Sequence, residues 1–132
     1  AIDKIASELD VLPTIASLTS TPYINTTIGR DLLDPHYDHQ RYAFTTDKKS
    51  TNPHIGLVSD ELYFMMLIDG SDKSLHSLSS DTPRENIINN FPDKALEMEQ
   101  ICRSIFEAAR YMRYHNSQDR LKKASHAAVS HN

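Results

Sequence analysis

The sequence predicts an α+β fold: a small antiparallel sheet of about four strands, with an N-terminal helix and a long C-terminal helix packed on it. Three observations predict it. Short apolar runs at residues 41–46, 54–58, 62–68 and 75–78 follow one another with polar turn clusters between them. A helix-start pattern precedes them at residues 10–18. From Pro92 onward, apolar residues recur at spacings of three and four, the period of one helix face.

At the first helix, Asp10 can cap free backbone N–H groups, and Pro13 falls in the first turn, where its missing N–H costs little. Leu12, Ile15, Ala16 and Leu18 give this helix an apolar side, and it should end between Thr19 and Pro22. Residues 25–33 form a loop in which Gly29 permits a tight turn. The run at 41–46 has strand character, and the polar residues 47–53 separate it from the next strand at 54–58. Ser59, Asp60 and Glu61 suit a hairpin turn. Residues 62–68 are apolar on both alternating faces, which predicts a strand covered on two sides and flanked by two partners. Asp69, Gly70, Ser71 and Asp72 make the next turn, before the short strand at 75–78. The final helix runs from Pro92 to about His115, with Ala95, Met98, Cys102, Ile105, Ala109 and Met112 on its inner face, joined by Ile101, Phe106 and Ala108. Glu99, Arg103 and Glu107 follow at i,i+4 spacing on its flank, each pair worth ~0.2–0.5 kcal/mol on an exposed face. Residues 117–132 read as a polar tail that can extend as a frayed helix but has little reason to pack.

A chain of 132 residues with 39% hydrophobic and 24% charged residues fits one globular domain. The net charge of −4, with Lys and Arg scattered along the chain, argues against nucleic acid or an anionic membrane as a partner. A single cysteine, Cys102, excludes an internal disulfide, and its place in the helix pattern makes it a core residue. No apolar run approaches the ~18 residues of a membrane span, and residues 1–30 lack a signal-peptide pattern, so the targeting segment of a secreted protein would lie elsewhere. The first residue is Ala1 and not methionine, as expected of a piece excised from a longer protein.

Two segments carry a family resemblance. Residues 9–18, LDVLPTIASL, followed by Gly29-Arg30-Asp31-Leu32-Leu33, resemble the stretch near the end of the catalytic core in sulfatases and the related lipoteichoic-acid-synthase-like phosphoglycerol transferases. Leu75-His76-Ser77-Leu78, residues 81–86 (DTPREN) and Pro92 resemble the same family's C-terminal signature. Departures from it are His76 for tyrosine, Ser77 for aspartate, the inserted Thr82 before Pro83, and Phe91 for a polar residue before Pro92. The resemblance implies an alkaline-phosphatase-like parent whose large α/β domain holds a divalent metal and a nucleophile. It divides the chain into the end of that core (1–34), a C-terminal subdomain (35–116) and the polar tail (117–132).

Such chemistry needs metal-held oxygens and an activated nucleophile in one constellation. The family's Cys/Ser-x-Pro-x-Arg motif is absent, since Cys102 is followed by Arg103, Ser104 and Ile105, so no catalytic residue is expected in this chain. No cofactor is expected within it either; the divalent metal would belong to the parent. Arg30 and Arg41 are candidates to reach an anionic substrate from cleft-edge loops. His36 and His39 have an H-x-x-H spacing with Asp34 and Asp38 nearby, a weak metal-ligand pattern outside a helix. Asn25-Thr26-Thr27 matches a glycosylation sequon. The implied partner is an upstream catalytic domain of the same polypeptide, on the extracytoplasmic side of a membrane that anchors the parent in the transferase branch; the isolated piece would expose apolar surface able to pair two copies. The alternative reading is an independent α+β interaction module.

Overall fold

The structure, a computed structural model, describes residues 4–47 and 51–129, with side chains described as far as residue 119. The chain passes from a 3-10 turn (Glu8–Asp10) into helix α1 (Val11–Leu18). A loop with a second 3-10 turn (Pro35–Tyr37) leads to strands β1 (Ala43–Thr46), β2 (His54–Val58), β3 (Leu62–Leu67) and β4 (Ser74–Ser77). Helix α2 (Pro92–Val129) completes the described chain. The α+β class read from the sequence is the observed one.

The sheet is an antiparallel meander in the order β1-β2-β3-β4. Its register lines up Phe44 with Leu57, Leu57 with Phe64 and Phe64 with Leu75, and Ile55 with Met66. Directly opposed residues share a face, so these apolar side chains form one continuous surface. Ala95, Met98 and Cys102 of α2 close over it, and Ile55, Leu57, Phe64, Met66 and Leu75 are left at most 1% exposed. Each such side chain contributes ~1.5–3 kcal/mol on burial. The opposite face of β3 carries Tyr63 and Met65, which are half-buried, so the double apolar pattern of this strand reflects one closed face and one partly covered one. Gly56 lies under that second face, where a Cβ would stand 2.8 Å from the Tyr63 ring and 2.9 Å from the Phe64 carbonyl oxygen.

The free edge of β4 is managed by the segment that follows it. Asn86 Oδ1 accepts the Leu75 N–H at 3.0 Å and the Ile88 N–H at 3.1 Å, and the Ile87 N–H donates to the Leu75 carbonyl at 2.8 Å. An unpaired strand edge is a template for aggregation, and this return run occupies it before Pro92 starts the helix. Gly70 turns the β3–β4 connection at φ +87°, and a Cβ there would sit 2.2 Å from the Arg103 guanidinium. Arg103 and Lys73 both hold Glu99, at 3.0 and 2.8 Å, pinning the turn to α2. Glu99 is thus more than a member of a solvent-facing charge row: burial pushes its carboxyl up, but the two cations outweigh this and hold it below its ordinary value.

Helix α2 extends past His115 to Val129, nearly four turns beyond the end of its apolar pattern. Its apolar face matters only as far as the sheet reaches. Ala95, Met98 and Cys102 are buried, whereas Ile105, Ala109 and Met112 are half-buried. The residues 130–132 of the expected polar tail lie outside the described ones.

Candidate functional site

The most connected polar cluster joins α1 to the loop after it. Asp10 is 1% exposed and its carboxylate is crowded with donors. Oδ2 accepts the Ser7 N–H at 2.8 Å and Arg30 Nη2 at 2.8 Å; Oδ1 accepts the Arg30 backbone N–H at 2.7 Å and Nε at 3.3 Å. Burial raises the Asp10 carboxyl, but Arg30 and the two backbone N–H groups more than reverse this, so it stays ionised below the usual carboxylate range. Thr14, also buried, donates from Oγ1 to the Asp10 carbonyl at 2.6 Å and accepts the Leu32 N–H at 3.1 Å.

Asp10 was expected to cap α1; its carboxylate caps one turn earlier, in a capping box with Ser7 at the start of the 3-10 turn that leads into the helix. The 3-10 turn before α1 gives Asp10 helical backbone angles (φ −80°, ψ −12°), and its side chain makes no cap bond to that helix. It reaches instead to Ser7 and across to Arg30. Gly29 also acts differently from the expected tight turn. The only glycine at positive φ is Gly70, whereas a Cβ on Gly29 would stand 1.9 Å from the Leu9 carbonyl oxygen. The missing side chain lets the loop lie directly on the 3-10 turn and brings the Arg30 N–H onto Asp10.

Beside this clasp runs a groove of about 530 Å³ between the N-terminal segment, β1 and α2. Leu9, Ile28, Phe44, Ile101 and Ile105 wall it, with His39, Gln40 and Ser104 as polar contributors. A second cavity of about 360 Å³ separates the Thr26–Ile28 stretch from Ala109, Met112 and Asn116 of α2, and Asn116 Nδ2 bridges it by donating to the Thr26 carbonyl at 2.8 Å.

The sequence candidates fall in different places. Arg30 borders the groove, but each of its three nitrogens donates to a protein acceptor: Asp10, the Gln40 carbonyl at 2.6 Å and the Ile5 carbonyl at 3.0 Å. Arg41 forms a two-point pair with Asp60 (2.5 and 2.9 Å) on the surface, and this hydrogen-bonded pairing lowers the Asp60 carboxyl. The two arginines thus have separate carboxylate partners. His36 and His39 stand edge to face with ring centroids 6.1 Å apart, while Asp34 accepts the His36 backbone N–H and Asp38 pairs with Lys4. Among the described residues no group of three or more His, Cys, Asp or Glu side chains gathers as a metal site. Cys102 is buried, and burial pushes its thiol up to about 12, which makes it an inert core group. Asn25 accepts from the Thr27 N–H and hydroxyl and donates to the Gly29 carbonyl, so its amide braces the loop.

The geometry missed in the sequence is the clasp itself. Twenty residues separate Asp10 from Arg30, and no periodicity links them. Helix α1 then shows the complementary surprise. Its buried residues are Pro13 and Thr14, while Val11, Leu12, Ile15 and Leu18 are 50%, 64%, 49% and 67% exposed. The expected apolar side of α1 thus faces outward. Compared with models of known protein families and with curated proteins, the chain matches none.

Proposed function

We propose that this chain is the C-terminal subdomain of a metal-dependent enzyme of the sulfatase family, a sulfate-ester hydrolase or phosphoglycerol transferase, and that it flanks the substrate cleft without being catalytic alone. The observation that carries this reading is the inverted helix α1. Its polar side is locked inward through Asp10 and Thr14, and its apolar side is offered outward as a patch of Val11, Leu12, Ile15 and Leu18. A helix held in that orientation by buried hydrogen bonds cannot turn its apolar side into its own core. A large neighbouring domain of the same polypeptide is the partner that covers it. The residues quoted for the family resemblance, Asp10, Thr14, Gly29, Arg30 and Leu32, are the ones that hold α1 this way.

On this reading the divalent metal and the nucleophile come from the upstream domain, on the extracytoplasmic side. Arg41 and the half-open groove beside Arg30 would lie at the edge of the joint cleft. The second reading is an independent interaction module, whose α1 patch pairs two copies of the chain. Translating the coding DNA upstream of Ala1 in frame tests both. A preceding domain with Asp-rich metal motifs and a Cys, Ser or Thr nucleophile is the expected result, and the longer protein should then release sulfate or transfer phosphoglycerol only with a divalent cation. A start codon immediately before Ala1 sinks the subdomain reading and leaves the module, whose dimer sedimentation equilibrium would detect.

A further inference from the structure

The whole-chain charge of −4 averages over two unlike parts. From Arg110 onward the sequence carries Arg110, Arg113, Arg120, Lys122 and Lys123 against Asp119 alone, a net +4, which leaves −8 on the 109 residues before it. All five lie on one element of the structure, the distal part of α2, where Arg110 also pairs with Glu107 at 3.4 Å. The 38-residue helix is about 57 Å long, and roughly its last 30 Å lies beyond the residues buried against the sheet. Where this arm leaves the body, its two sides differ. Met112, Arg113 and Asn116 line the cavity against the Thr26–Ile28 stretch. Tyr111 and Tyr114, 66% and 62% exposed, turn away from it with His115, whose ring lies 4.1 Å from Tyr111 and 5.6 Å from Tyr114 between centroids.

We propose that this basic, tyrosine-bearing arm docks the protein on an anionic lipid surface. Clustered Lys and Arg on a helix are drawn to anionic headgroups, and amphipathic aromatic rings settle at the headgroup level. The acidic body is repelled by the same surface, so the charge division also sets an orientation, arm down and sheet away. The docking stands on the charge and placement of α2 and is independent of the chain's proposed place in an enzyme.

Co-sedimentation of the 132-residue chain with vesicles tests it. Binding is expected to mixed phosphatidylglycerol–phosphatidylcholine vesicles, to weaken as salt is added, and to be absent with phosphatidylcholine alone. Each basic residue near the surface is worth about fivefold in binding, so Lys122→Ala with Lys123→Ala should weaken it ~25-fold while favouring the helix fold. Tyr111→Ser with Tyr114→Ser should weaken binding without changing its salt dependence. Equal binding to both vesicle types, no binding to either, or full binding by the lysine variant overturns the proposal. So does salt-sensitive retention of duplex DNA by a chain that ignores the vesicles.

Discussion

The two helices of this protein solve opposite problems. Helix α2 turns Ala95, Met98 and Cys102 into the sheet and leaves its charges to solvent and to turn contacts, so its core half is stabilised by apolar burial. Helix α1 buries Asp10, Pro13 and Thr14 and leaves Val11, Leu12, Ile15 and Leu18 outside. One helix is held by what water rejects, the other by an ion pair and hydroxyl bonds that water would compete for. The difference teaches that α2 is held to the sheet by apolar burial, whereas α1 is held by polar bonds that leave its apolar side outside the core.

If that contrast is right, the largest loss comes from the sheet side. Phe64→Ala empties the centre of the apolar face and should cost ~3–5 kcal/mol, read from the urea midpoint of unfolding. Asp10→Ala should follow at roughly 3 kcal/mol, because it strands the Arg30 guanidinium, 12% exposed, without its carboxylate. The unfolding probe should sit in the N-terminal segment, since the Phe64 core is untouched. If Asp10→Ala costs no more than a surface change, the clasp does not hold α1. The same carboxylate sets a pH dependence. Asp10 and Glu99 are both more acidic folded than unfolded, so their contribution is present at neutral pH and is lost as pH falls below about 4 and through their lowered folded values. An acid titration should therefore loosen wild type more steeply than Asp10→Asn, which has already lost one of the two groups.

Gly29→Ala sharpens the comparison at a smaller scale. Its Cβ meets backbone, the Leu9 carbonyl, and not a movable side chain, so the loop must lift from the 3-10 turn at a cost of about 2 kcal/mol. Gly70→Ala should cost about 1 kcal/mol for its positive φ, and somewhat more because Arg103 must move off Glu99. Thermal unfolding of the two variants ranks them, and a harmless Gly29→Ala would remove the close approach as the reason for glycine there.

The sheet was legible because its signals are local. The turns at 59–61 and 69–72 bracket a strand whose apolar run leaves it nowhere but the sheet's interior, and Pro92 with its three-and-four spacing fixes the start of α2. The clasp was illegible because its bonds join residues twenty apart through one side chain, and a helix-cap reading of Asp10 satisfies the same sequence. The outward face of α1 was illegible for another reason: periodicity reports that a helix has an apolar side, but only the buried hydrogen bonds of Asp10 and Thr14 decide where that side points. The apolar pattern marked only the packed part of α2, because helix continuation past residue 115 needs no apolar face, only the absence of glycine and proline, which holds through the residues given.

The smallest expected effect is the most discriminating. Leu12→Ser with Leu18→Ser removes two of the most exposed apolar side chains of α1, at 64% and 67%, and surface changes of this kind move stability by no more than about 0.5 kcal/mol. In the isolated chain the pair should be nearly silent in unfolding and should raise solubility, since the patch it breaks is the one that promotes sticking. In a longer polypeptide that carries an upstream domain, the same two changes should release this part to limited proteolysis, because the buried contact there would gain two hydroxyls without partners. Silence in both settings would mean that nothing covers α1, and a loss of several kcal/mol in the isolated chain would mean that α1 packs on its own sheet. Only the combination of a small effect alone and a large one in the longer chain leaves the contrast between the two helices standing, with α1 held by polar bonds so that its apolar side is free to meet a neighbour.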